Sequence, residues 1–127
     1  ADVVVCIMAQ RLARILCNDC KEEVVANPKE CKILECNPSH PPTIYRKVGC
    51  SNCNETGYKG RIALCEVLEV DRGLAELIQL NTTSNKMYKY AKEKGFETML
   101  DDGVKKVLKG VTDIPELIRT VDVTDRL

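Results

Sequence analysis

Apolar and polar positions change period along this chain, and each change marks an element. Residues 3–12 open with Val3, Val4 and Val5 and continue with Ile7, Met8 and Leu12. They are β-branched at the start and apolar on both faces, which predicts a buried strand. A helix over residues 9–16 competes, because Leu12, Ile15 and Leu16 fall on one helical face. Asn27-Pro28 followed by Glu30 then signals a helix start. Asn caps, Pro suits the first helical position, and Glu30 can reach back to close a capping box. Asn37-Pro38 and Pro41-Pro42 require that helix to end near Cys36.

Residues 43–48 alternate Ile44, Arg46 and Val48 against Thr43, Tyr45 and Lys47, the period of a half-buried strand. Residues 61–70 carry Ile62, Leu64 and Leu68 on one face and Ala63, Cys65 and Val67 on the other. Both faces are apolar, so this strand is expected inside a sheet.

From Asp71 the period becomes helical. Leu74, Leu77 and Ile78 mark a short helix ending before Asn81. Thr83 or Ser84 caps the next, with Met87, Tyr88 and Ala91 inward and a stop at Gly95. In the third, Met99/Leu100, Gly103/Val104 and Val107/Leu108 recur every four residues, Thr98 with Asp101 opens it and Gly110 closes it. Gly103 mid-helix costs about 1 kcal/mol relative to Ala, and close approach of another backbone is the expected compensation. The fourth, with Ile114, Leu117, Ile118 and Val121 on one stripe, begins at Thr112 or Asp113; Asp113 with Glu116 makes the better capping box, with Pro115 in the first turn. The final residues are expected to fray.

Two cysteine hooks stand apart from these patterns: Cys17-Asn18-Asp19-Cys20 and Cys50-Ser51-Asn52-Cys53, with twenty-nine residues between them. Such spacing suits a four-thiolate metal site. Four sulfurs complete a tetrahedron and leave no position for substrate water, so the chemistry is structural and zinc is the first reading. An Fe–S cluster or two disulfides remain the alternatives. The segment between the strands has few large apolar side chains, so a metal is expected to supply much of what orders it.

Composition narrows the function classes. Lys plus Arg and Asp plus Glu both number 19, so no basic footprint invites nucleic acid. Four thiolates on a divalent ion would add a formal charge of about −2, and Lys21, Arg46, Lys47, Lys59 and Arg61 lie near in sequence to offset it. Pairing of four of the 8 cysteines in hooks favours a reducing compartment over a secreted disulfide scaffold. No apolar run approaches the length of a membrane span. The chain lacks an initiator Met and opens inside an apolar segment, so it reads as a piece of a larger fold.

The remaining candidates carry less. Cys6 and Cys65 are expected in the core, and Cys31 and Cys36 as free thiols. His40, between Ser39 and two prolines, reads as a solvated loop residue. Asp101 and Asp102 read as a cap or a solvated face. No phosphate-binding G-x-x-x-x-G-K-[ST] loop and no nucleophile–base set can be assembled, so no catalytic residue is expected.

Gln10-Arg11-Leu12, the two hooks and Gly57-Tyr58-Lys59-Gly60-Arg61, continuing through Glu66-Val67-Leu68, residues 98–103 and Lys109-Gly110-Val111-Thr112, resemble one family over essentially the whole chain. It is similar to the C-terminal region of the secretion ATPases of type II secretion and type IV pilus assembly. Cys65 departs from it, standing where the family often has an aromatic residue. The periodicities above already give an α+β plan of a strand, a metal-tied excursion, a returning strand and about four short helices, and the resemblance adds to it. Residues 1–16 and 61–70 would be strands from the edge of a RecA-like ATPase sheet, 17–60 an inserted four-cysteine zinc module, and 71–127 a helical subdomain of about four helices. It implies Cys17, Cys20, Cys50 and Cys53 as ligands of one structural Zn²⁺, with ATP and Mg²⁺ bound only by the full-length parent. It further implies a cytoplasmic homo-hexamer, peripheral at the bacterial inner membrane, that drives pilin or pseudopilin assembly through a platform protein. A sheet cut at its edge leaves a strand unpaired, so the isolated chain is expected as a monomer or a strand-exchanged dimer. A stand-alone interaction module of the DnaJ cysteine-rich kind is the alternative.

Overall fold

The structure, a computed structural model, describes residues 5–124. Val3 and Val4 of the first expected strand, and the end of the tail expected to fray, lie outside the described residues. The architecture is α+β. Strand β1 (Val5–Leu16) pairs antiparallel with β4 (Tyr58–Val70), in register from Val5 opposite Val70 to Arg14 opposite Arg61. A bulge then resets the pairing so that Leu16 faces Tyr58. Between these strands runs an excursion made of β2 (Glu22–Val25), helix α1 (Pro28–Leu34) and β3 (Thr43–Arg46), with β2 and β3 forming a second antiparallel pair. Helices α2 (Arg72–Gln79), α3 (Ser84–Glu93), α4 (Met99–Leu108) and α5 (Ile114–Thr120) follow.

Local signals placed the helices well. Asn27 accepts the Glu30 amide at 2.7 Å while Glu30 accepts the Asn27 amide at 3.0 Å, completing the box that starts α1. Thr98 and Asp101 do the same for α4, and Thr83 caps α3. Asp113 caps α5, but Glu116 does not reciprocate. Its carboxylate turns instead to Arg14 and Arg119.

The ribbon departs from expectation. Residues 9–16 are strand, not helix, and the expected strand of residues 3–12 extends to Leu16. Neither β1 nor β4 lies inside a larger sheet among the described residues; they form a two-stranded pair, so Ile7, Met8, Leu12 and Val67 are exposed. Cys6 is exposed and Cys65 half-buried rather than core. β3 stops at Arg46, leaving Val48 exposed, and α1 stops at Leu34, two residues before Cys36. Tyr88, Leu108 and Ile118, expected inward, are exposed on their helices.

The core joins all parts of the chain. Leu64 and Ala13 from the ribbon meet Val104 and Val107 of α4 and Leu117 of α5, and Cys31, Ile33, Leu34 and Ile44 from the excursion enter the same cluster. The excursion is therefore not lean in apolar anchors. Fully burying side chains such as Ile33 and Ile44 contributes about 1.5–3 kcal/mol each, so packing as well as any metal orders it. Gly103 supports this packing differently from expectation. A Cβ there would sit 2.3 Å from Leu117 Cδ1 and 3.3 Å from Leu64 Cδ1, so the close neighbour is side chain and not backbone.

Candidate metal centre

The first hook sits where β1 ends. Leu16 donates its amide to the Val111 carbonyl at 2.8 Å and Cys17 to the Gly57 carbonyl at 2.9 Å, which fixes the Cys17 side chain against the loop before β4. A turn then returns the Lys21 amide to the Cys17 carbonyl at 3.0 Å and carries Cys20 round to the same side. The second hook is built on a 3₁₀ turn over Ser51–Cys53, closed by the Glu55 amide donating to the Cys50 carbonyl at 2.8 Å. Gly57 ends the loop with φ of +84°, and a Cβ there would lie 2.5 Å from the Lys47 Cβ, so the position admits only glycine. Asn52 donates to Asp19 at 3.1 Å and ties one hook to the other.

These two turns bring Cys17, Cys20, Cys50 and Cys53 together, all four Sγ atoms within 4.8 Å of one another. Neither Cys31, Cys36 nor His40 joins the cluster. Cys17 and Cys50 are 3.8 Å apart, Cys20 and Cys53 3.9 Å, and Cys50 and Cys53 3.7 Å. A tetrahedral ion with sulfur arms of about 2.3 Å requires edges of about 3.8 Å, so this donor set fits such an ion in number, chemistry and span. A disulfide needs sulfurs at about 2.05 Å, and all eight cysteines are free thiols.

Backbone amides aim at the same sulfurs. Gly49 donates to Cys20 Sγ at 3.3 Å, and Cys50 and Gly57 both donate to Cys53 Sγ at 3.2 Å. Burial pushes the Cys53 thiol up, but the two amides and the neighbouring thiols outweigh it and hold this group down at about 6. Cys50, with burial dominant, is pushed up to about 11. N–H groups directed at sulfur favour the thiolate, the form that ligates metal. The bases expected to offset this charge are in part engaged elsewhere. Lys21 donates to the Gly110 carbonyl at 3.0 Å and lies over Tyr45, Arg46 pairs with Glu30 at 3.5 Å, and Lys47 lies over Tyr58.

The other expected residues are separate. His40 is exposed in a turn. Cys31 is buried, which raises its thiol pKa, and lies across the end of α1 from half-buried Cys36. Asp101 is the cap that was expected, whereas Asp102 reaches across to accept the Cys65 amide of β4 at 2.9 Å and the Lys106 ammonium.

Sequence reasoning missed the buried polar joint beside the hooks. Tyr58 donates to both oxygens of Asp113, at 2.8 and 2.7 Å, and its ring carries the Arg14 guanidinium 4.2 Å above its centre. Glu116, whose side chain is 0% exposed, accepts from Arg14 and Arg119. Burial alone would raise the Glu116 carboxyl; the two guanidiniums and the Arg14 amide prevail and hold it at about 2. No local pattern announces partners so far apart in sequence. Among the described residues, no helix is long and apolar enough to cross a membrane.

The whole arrangement has relatives. The family model described as Type II/IV secretion system protein matches residues 1–119. The chain is 39% identical over 113 residues to "Type II secretion system protein E" of Pseudomonas aeruginosa, covering 89% of this chain and 22% of that protein. Against "Type II secretion system ATPase E" of Vibrio cholerae it is 38% identical over 113 residues, covering 89% and 22%. With "Type IV pilus assembly ATPase PilB" of Thermus thermophilus it shares 34% identity over 119 residues, covering 91% and 13%. The chain thus spans no more than about a fifth of the length of these curated relatives. With a match over nearly all of its length, the chain belongs to the Type II/IV secretion system protein family.

Proposed function

We propose that Cys17, Cys20, Cys50 and Cys53 hold a single structural Zn²⁺ and that the chain serves as the zinc-bearing part of a secretion or pilus-assembly ATPase. Bound there, zinc supplies a cross-link between the two hooks, with no reactive position left over. The chain's own residues do the rest. Amides of Gly49, Cys50 and Gly57 stabilise the thiolates, and the Leu16 and Cys17 amides fix the first hook to the helical part through Val111 and to the second through Gly57. The observation that carries this reading is the span of the four sulfurs.

Within the parent protein, residues 1–16 and 61–70 are assigned to the edge of a RecA-like sheet, 17–60 to the zinc module and 71–127 to a helical subdomain. The names of the relatives support ATP-driven work in type II secretion or type IV pilus assembly. On this reading the parent is a cytoplasmic hexamer at the inner membrane that binds ATP and Mg²⁺ and acts on pilins or pseudopilins through a platform protein. The family match over residues 1–119 leaves the chaperone-type module without support.

Elemental analysis of the purified chain tests the metal. One equivalent of zinc is expected, lost in Cys20→Ser and Cys53→Ser and retained in Cys31→Ser. Equal loss from Cys31→Ser would sink the ligand assignment. The isolated chain is expected not to hydrolyse ATP, and saturable turnover would overturn its reading as a non-catalytic part.

A further inference from the structure

At the hook end of the ribbon, Arg14 and Arg61 stand directly opposite each other across β1 and β4. Together with Arg119 of α5 and Leu12 they line an open cavity of about 450 Å³. Like charges directly opposed on one sheet face destabilise it. The only carboxylate engaged by these arginines among the described residues is Glu116, which Arg14 and Arg119 share. Arg61 is exposed and makes no ion pair among the described residues. Three guanidiniums therefore face one cavity with a single negative charge behind them. The Arg14 and Arg119 side chains are still 44% and 55% exposed, so their outer donors are open to a second acceptor.

We infer that Arg14, Arg61 and Arg119 form a receptor for the carboxylates of an acidic segment on a protein partner. A guanidinium fork matches a carboxylate through two parallel hydrogen bonds. The cavity wall favours this occupant over a phosphate. Among the described residues its wall is Leu12 and the three arginines, with no serine, lysine, glycine or first-turn helical residue of the kind that cradles phosphates. A second cavity that Arg14 and Arg61 also line adds Thr56, Tyr58 and Gly60, so competition by phosphate or ATP is the discriminating measurement. The apolar member of the first cavity, Leu12, is 52% exposed and shares its ribbon face with Met8 and Val67, 69% and 52% exposed. A segment with acidic side chains at one end and apolar ones at the other complements the charge first and then, past Gln10 and Cys65, the apolar positions along the same face. The inference is independent of the metal assignment, because none of the three arginines touches a sulfur.

The test uses the 127-residue chain and a fluorescein-labelled Glu-Glu-Glu-Leu-Leu-Leu peptide read by anisotropy. Saturable binding is expected that weakens steeply with salt, and Arg61→Gln should raise the Kd by about tenfold or more. In the absence of peptide the same variant should melt no lower than the parent, because it removes a repulsion and breaks no contact. That separates lost recognition from lost folding. An unchanged Kd in Arg61→Gln would overturn the proposal, as would ATP or inorganic phosphate displacing the peptide at concentrations below its own Kd.

Discussion

Glu116 accepts the backbone amide of Arg14 with one carboxylate oxygen, at 2.7 Å, and the guanidinium of the same residue with the other, at 3.0 Å. One buried side chain thereby grips both the main chain and the side chain of β1 and locks α5 across the ribbon. Arg119 adds two further bonds from within α5, at 2.8 and 2.7 Å. Replacing Glu116 by Ala leaves the Arg14 amide and two guanidiniums without this acceptor. The expected loss is about 3 kcal/mol, at the low end for a broken buried pair because both arginines still reach water. Urea denaturation of the variant measures it.

Acid should act through the same residue. The folded-state pKa of Glu116 is about 2, below its ordinary 4.5. A depressed carboxyl contributes stability that is present in full above its unfolded pKa and is lost as pH falls towards the folded one. Wild type is therefore expected to lose stability relative to Glu116→Gln as pH falls from 4.5 towards 2. Parallel stability curves for the two proteins through that window would show that the carboxylate is not held as described.

Gly103 offers a test of packing against propensity. Alanine gains about 1 kcal/mol in a helix interior but overpacking costs about 1–3 kcal/mol. With Leu117 Cδ1 2.3 Å from the would-be Cβ, overpacking is expected to win. Gly103→Ala should lower the Tm in the wild-type background and do so less, or not at all, in Leu117→Ala. Additive effects would mean that the two positions do not meet.

Asn27→Ala should cost about 1 kcal/mol, the usual loss of a side-chain cap, and amide exchange would show it as lower protection across α1.

Metal removal should be felt unevenly. Ile33 and Ile44 are buried in the common core, which none of the four hook cysteines joins. After exhaustive chelation, hydrogen exchange is expected to accelerate at Cys20, Cys53 and Gly57 while amides around Ile44 and Val107 keep most of their protection. Uniform protection before and after chelation would show that metal contributes nothing to the fold.

Which features could be read from the chain follows from how far apart their partners lie. Asn27 and Glu30, or Thr98 and Asp101, are three residues apart and announce themselves as caps. Each hook is equally local, and its spacing needed no knowledge of the fold. Cys17 and Cys50 reached the same reading because like hooks suggest a shared ion. By contrast, Arg14 and Glu116 have no periodic relation, and neither do Tyr58 and Asp113. Strand β2 went unseen because Glu22-Glu23-Val24-Val25 has no clean alternation and exists only through β3. The exposure of Met8 and Val67 was misjudged for a different reason. An apolar strand records that something covers it, not whether that cover lies within the same chain.

Leu16 and Tyr58 are register partners, so the chain leaves the ribbon and rejoins it at one place. Residues 17 to 57 therefore start and end at one place, and they are held to the helices besides, by Ile33 and Ile44 in the common core and by Lys21 on the Gly110 carbonyl, with Ser39 and His40 exposed in the loop between α1 and β3. Lengthening or shortening that loop changes only a segment whose closure cost grows slowly, about 0.6 kcal/mol for a doubling. Length changes are thus expected to be tolerated at that loop, whereas exchange of the whole excursion takes Ile33, Leu34 and Ile44 out from under Ala13 and Leu64 of the ribbon.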